Sequence, residues 1–193
     1  VHELDGKPVK DPFDLKKALT TAPLSQMART LKSYSSRYNI GTIVRNFGEP
    51  TFSLMALDAN YRGNFGFAAS RIERKPDVTL VTLYFRERGT ATLIRATGGA
   101  PVLSEGELVI EAGTGRIRHA VLRAQMGTVH AELTTTFEPD TNLNIWVPSL
   151  FSEQYDEDTK SSSASATERH VEGIRCEAKY SDFRRFEAFG QIK

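Results

Sequence analysis

Cysteine is almost absent from this sequence: Cys176 stands alone among 193 residues. A lone thiol excludes an internal disulfide and any paired-cysteine metal site. Its setting, Ile174-Arg175-Cys176-Glu177-Ala178, reads as strand interior, where Cys packs as a small hydrophobe. Histidine is scarce too, and His2, His119, His130 and His170 show no H-x-x-x-H spacing that would place two ligands on one metal. No run approaches the roughly 18 apolar residues of a membrane-crossing helix. Neither sign of charge dominates, with 25 Lys and Arg against 24 Asp and Glu. Basic residues are scattered, and a phosphate-binding surface needs them clustered to release counterions. Nucleic acid is therefore not expected as a partner, nor are a metal or another cofactor.

What is present is ordinary globular composition: 39% hydrophobic and 25% charged, with 14 Gly and 8 Pro. A chain of this length can bury about 70% of its unfolded surface around one core. A single domain over 1–193 is expected, with turn and helices in 1–41 and a β meander in 42–193. The opening Val1-His2-Glu3 carries no initiator Met and no apolar leader, and is read as the interior of a longer precursor.

Leu4–Val9 centres on Asp5-Gly6 and reads as a short strand or turn. Asp11-Pro12 starts a helix, since Asp caps free N–H groups and Pro fits the first helical position. Pro23 interrupts it. Leu24, Met27, Ala28, Leu31, Tyr34 and Tyr38 then recur at three- and four-residue spacing, the apolar stripe of a second helix that Asn39 and Gly41 end.

Beyond Gly41 the period changes to two. Strands are expected at Thr51–Leu57, Asn64–Ile72, Val78–Arg86, Thr90–Ala96, Glu107–Glu111, Arg116–Gln125, Thr128–Phe137, Asn144–Tyr155, Val171–Tyr180 and Phe183–Phe189. Many short strands between Gly, Pro, Asn and Asp turns argue for an antiparallel sheet. The Ser-rich stretch within Asp156–His170 buries little and is expected to be a mobile loop. Across Met126-Gly127, a hairpin pairing Ala124 with Val129, Leu122 with Ala131 and Ala120 with Leu133 keeps one face apolar. The other face then collects His119, Arg123, His130, Glu132 and Thr134, with Val121 as the exception. A one-residue shift would set Leu122 against His130 and mix the faces, so the first arrangement is favoured.

No catalytic constellation emerges. Gly113-Thr114-Gly115 joins two strands and lacks the helix N-terminus on which phosphate loops depend. Ser161–Ser163 lies in the low-complexity stretch, and no G-x-S-x-G occurs. A non-enzymatic role is expected. The remaining signal is apolar: Phe65, Phe67, Val81, Leu83, Phe85 and Trp146 on strands, facing Met27, Leu31 and Tyr34 on the helix. These nine form either a closed core or the lining of a hydrophobic pocket.

The order of a helix followed by a long meander resembles the half-barrel of the LolA/LolB-like lipoprotein carriers. Glu107–Glu111, Gly113–Ile117 and the long strands beyond are similar to that family's strand, turn, strand element. That resemblance implies a curled antiparallel sheet on an N-terminal helix, holding a lipid or acyl chain. Ser36–Gly41, Arg45-Asn46 with Pro50-Thr51, Ile145–Pro148 with Glu153 and Tyr155, and Tyr180–Phe186 are similar to a group of bacterial envelope proteins. That likeness implies a periplasmic or envelope location, with envelope proteins as possible partners, and assigns no activity. Asp5–Val9 with Asp14, Leu15 and Leu19 is similar to the closing hairpin and helix of a PDZ domain. The alternative to a carrier is a closed-core structural or protein-interaction domain, docking through edge strands or the face carrying Arg123, His130 and Glu132.

Overall fold

The computed structural model of the chain describes residues 3–4, 7–8, 26, 30, 33–34, 49–96, 98–160 and 169–185. The chain divides into two compact units, Val1–Asn46 and Phe47–Lys193. In the first, β1 (Glu3–Leu4) and β2 (Lys7–Pro8) pair antiparallel with Leu4 opposite Lys7, as the Asp5-Gly6 turn signal implies. Gln26, Thr30, Ser33 and Tyr34 are helical, in the segment whose stripe predicts a helix. The Thr30 hydroxyl donates to the Gln26 carbonyl at 3.0 Å, and Tyr34 is buried. Met27, Leu31 and the first expected helix lie outside the described residues.

The second unit is mainly β. Its strands are β3 (Phe65–Arg74), β4 (Thr79–Glu87), β5 (Ile94–Arg95), β6 (Pro101–Val102), β7 (Ser104–Glu111), β8 (Ile117–Met126), β9 (Val129–Asp140), β10 (Ile145–Lys160) and β11 (Arg169–Lys179). Seven of them form one antiparallel sheet in the order β11-β10-β9-β8-β7-β4-β3, while β5 and β6 pair separately. The sheet is open, with β3 and β11 at its edges.

Alternation along each strand gives the sheet two unlike faces. On β9, Ala131, Leu133, Thr135 and Phe137 are buried, Glu132, Thr134 and Thr136 between them are half-buried, and His130 and Glu138 at either end are exposed. Leu122 sits opposite Leu133 and Ala120 opposite Thr135, and on the far side Leu108 pairs with Ala120. Phe85, Leu108, Leu122 and Leu133 are fully buried, and each such side chain contributes roughly 1.5–3 kcal/mol through removal from water. Gly106 lies on this face between Phe85 and Leu122. A Cβ there would collide with the Val121 carbonyl oxygen and come within 2.6 Å of Phe85 Cζ. The Phe85 ring occupies the space that glycine leaves, and Phe65 meets it edge-on at 5.8 Å.

Three register shifts interrupt the ladders, at Ala69/Arg71, Val109/Ile110 and Pro148/Leu150. The last has a plain cause: Pro148 has no N–H to give a ladder and is tolerated at a bulge. The first bends the exposed edge strand β3, one way in which proteins discourage pairing with other chains.

Five expectations need correction. Phe52–Leu57 is a 3-10 helix rather than a strand, and its buried residues Ser53 and Ala56 are three apart, the period of that helix. A short apolar run is ambiguous between strand and helix, and the alternation in Phe52-Ser53-Leu54 misleads. Thr90–Ala96 contributes only the two residues of β5. Residues 181–185 form no strand, so the expected Phe183–Phe189 strand is not there at its start, and 186–189 lie outside the described residues. The β8–β9 register is displaced by two: Met126 pairs with Val129 and Ala124 with Ala131. Gly127 carries the turn at φ 65°, with Thr128 after it, the arrangement of a type II′ hairpin. An even displacement leaves every side chain on its expected face. The loop expected over 156–170 is strand at both ends, with Asp156–Lys160 paired to Arg169–Gly173, and 161–168 lie outside the described residues.

Candidate functional site: a charged groove on the polar face

The strand registers align one row of polar residues across six strands. Arg86 on β4 is opposite Glu105 on β7, which is opposite Arg123 on β8; Glu132 on β9, Gln154 on β10 and Arg175 on β11 complete the row. Charge alternates along its first four members. Arg86 Nε is 3.4 Å from Glu105 Oε2, and Arg123 Nε is 2.7 Å from Glu132 Oε2. Arg175 donates to Gln154 Oε1 at 2.6 Å. Tyr84 donates its hydroxyl to the same Glu105 oxygen at 2.6 Å, and that bond, with burial, raises the phenol above its ordinary pKa. One step along the strands lies a second row, Gln125 opposite His130 and His130 opposite Asp156. Asp156 Oδ2 accepts from Gln154 Nε2 at 2.8 Å and so ties the two rows together.

Over these rows lies a cavity of about 670 Å³. Its charged and polar walls are Arg86, Glu105, Arg123, Glu132, Gln154 and Asp156, with Gln125 and His130 from the second row. Its apolar side is supplied by Pro101, Val102 and Leu103, of which Leu103 is 51% exposed. The segment bearing those residues is fixed by Glu87, only 2% exposed. One Glu87 oxygen accepts the Leu93 N–H at 2.7 Å, and the other accepts the Ser104 N–H and hydroxyl at 3.0 and 2.8 Å. A carboxylate thus clamps the β5–β6 excursion to the start of β7, and the groove gains its wall.

A second polar cluster closes the β7–β8 turn. Glu111 accepts from the Thr114 hydroxyl at 2.8 Å and forms an ion pair with Arg118. The Thr114 bond first, then Arg118, holds the Glu111 carboxyl below its ordinary pKa despite the opposing effect of burial. Arg118 and Arg116 lie over the Trp146 ring, 5.2 and 5.9 Å from its centre. Elsewhere on the polar face His119, 3.4 Å from the Thr136 hydroxyl, has its pKa lowered by burial, with Glu107 and Glu132 acting the other way.

The residues predicted to line a hydrophobic pocket separate into groups. Phe65, Phe67 and Phe85 do come together, with rings 6.2 and 5.8 Å apart, and Leu83 and Val81 follow on the same face. Phe67 is exposed, Val81 and Leu83 half-buried, and Phe65 and Phe85 buried. Trp146 sits with the arginines instead. Tyr34 belongs to the first unit. None of these residues lines the charged groove. The sequence pattern places Arg123, His130 and Glu132 on one face, but not Arg86, Glu105 or Asp156 as their neighbours. Among the described residues no cluster of His, Cys, Asp and Glu could hold a metal ion, and no helix is long and apolar enough to cross a membrane. No family model, curated protein or solved structure matches the chain.

Proposed function

We propose that this chain is a non-catalytic binding module whose ligand occupies the charged groove on the polar face of the sheet. The observation carrying this reading is the cavity itself. Its volume lies within the range of small-molecule sites, and convergent polar groups from five strands line it. The strands hold those groups on a rigid ladder, which favours recognition over solvation of scattered charges. Crystallographic fragment screening tests the reading. Fragments are expected to cluster between Arg86, Arg123 and Asp156; a groove left empty while fragments populate other surfaces overturns it.

A second reading keeps the lipid expected from the carrier resemblance, in a curled half-barrel, and places the protein in the periplasm or envelope. It is favoured by Phe67 and Ile72, which project from the apolar face at 39% and 53% exposure. This version predicts co-purifying acyl lipid, detectable by mass spectrometry of organic extracts. Folded protein that yields none argues against it. Docking of an envelope protein on the polar face is the third outcome, read by pull-down with a charge-reversed Arg123.

A further inference from the structure

We propose that the groove takes a short zwitterionic peptide with free termini, its carboxylate on Arg123 and its ammonium toward Asp156. The assignment rests on the groove being the binding site, and deepens that reading. The ionised walls are two cations, Arg86 and Arg123, and three anions, Glu105, Glu132 and Asp156. A polyanion meets the carboxylates and a polycation meets the guanidiniums, so neither sign alone is complementary.

Unused hydrogen-bonding capacity then places the two ends. Arg123 spends Nε on Glu132, and its terminal nitrogens have no partner among the described residues. Those two NH2 groups can present the paired N–H donors that match a carboxylate. Asp156 spends Oδ2 on Gln154, and Oδ1 has no hydrogen bond among the described residues and lies 3.2 Å from where a Cβ on Gly173 would stand. A side chain at position 173 would crowd the acceptor; glycine leaves it open.

Spacing sets the length. Arg123 on β8 and Asp156 on β10 are two strand intervals apart across the sheet, roughly 9.6 Å, and two residues apart along it, roughly 6.8 Å, so about 12 Å separates their backbone positions. An extended tripeptide of about 10 Å with a hydrogen bond at each end covers that span. Leu103 and Pro101 supply an apolar side against which short side chains can rest.

Isothermal titration of the intact chain with trialanine tests this, together with N-acetylated, C-amidated and doubly blocked forms. Each single block is expected to weaken binding by about tenfold or more, as loss of a charge-assisted hydrogen bond does. Arg123→Gln should weaken the free-carboxylate forms and leave the amide unchanged. Asp156→Asn should weaken the free-amine forms and leave the acetylated peptide unchanged. Both positions are solvent-facing, and equal melting temperatures establish that the variants fold. Equal binding of free and blocked peptides overturns the proposal, as does equal binding of maltotriose. Fragments in the groove with no trialanine binding overturn the peptide assignment alone, whereas an empty groove removes the binding reading beneath it.

Discussion

Arg123 and Glu132 face each other directly across the β8–β9 ladder, with Nε 2.7 Å from Oε2. Both side chains are a little under half exposed, so water screens the pair and it does little to hold the fold. Its consequence is positional: the carboxylate engages Nε and leaves the terminal nitrogens without a partner among the described residues.

A double-mutant cycle with Arg123→Ala and Glu132→Ala should therefore return a coupling of about 0.2–1 kcal/mol in urea unfolding. The coupling should shrink as salt rises toward 1 M, where screening falls to about 3 Å. A coupling several times larger would mean the pair is structural.

Gly106→Ala should destabilise the sheet by about 1–3 kcal/mol, because the added methyl meets the fixed Val121 carbonyl and the Phe85 ring. Gly113→Ala is the control, since a Cβ there meets nothing within 4 Å and the cost should stay within roughly 0.5 kcal/mol. Chemical denaturation of the two variants side by side gives the comparison.

Much of this sheet is legible in the sequence, and the β8–β9 hairpin shows how far legibility goes. Binary alternation assigns Leu122 and Leu133 to one face and Arg123 and Glu132 to the other. It does not say which residue is opposite which, because registers differing by two are equivalent to the pattern. The turn decides, and Gly127 alone carries the positive φ that places it. The groove was harder to foresee. Arg86 and Glu105 become neighbours only because β4 pairs with β7 across the β5–β6 excursion. Local periodicity carries no record of that pairing. Phe52–Leu57 failed for a different reason, since six residues are too few to separate a period of two from a period of three.

Glu87 should prove more important than any residue of the ladder. Glu87→Ala leaves the Leu93 and Ser104 donors without their buried acceptor and should cost about 1.5–3 kcal/mol. Hydrogen exchange should quicken most at Leu93 and Ser104. An unchanged exchange profile would show that something else holds the β6–β7 wall.

Glu111 predicts a pH dependence. Its folded pKa is depressed, so the stability it contributes is present above its unfolded pKa and lost as pH falls through the folded value. Glu111→Gln should therefore be less stable than the parent at neutral pH. The difference should narrow as the solution is acidified below the usual carboxylate range. Thermal unfolding of both proteins across that range reads the effect; a gap that widens on acidification has the wrong sign.

The most direct test of the binding account is a nuclear magnetic resonance titration with trialanine, read on backbone amides of both faces. Saturable shifts are expected at Arg123, Gln125, His130 and Asp156, with Phe67, Ile72 and Leu83 unmoved. Shifts confined to Phe67, Ile72 and Leu83, or no saturable shift at the groove, would contradict it.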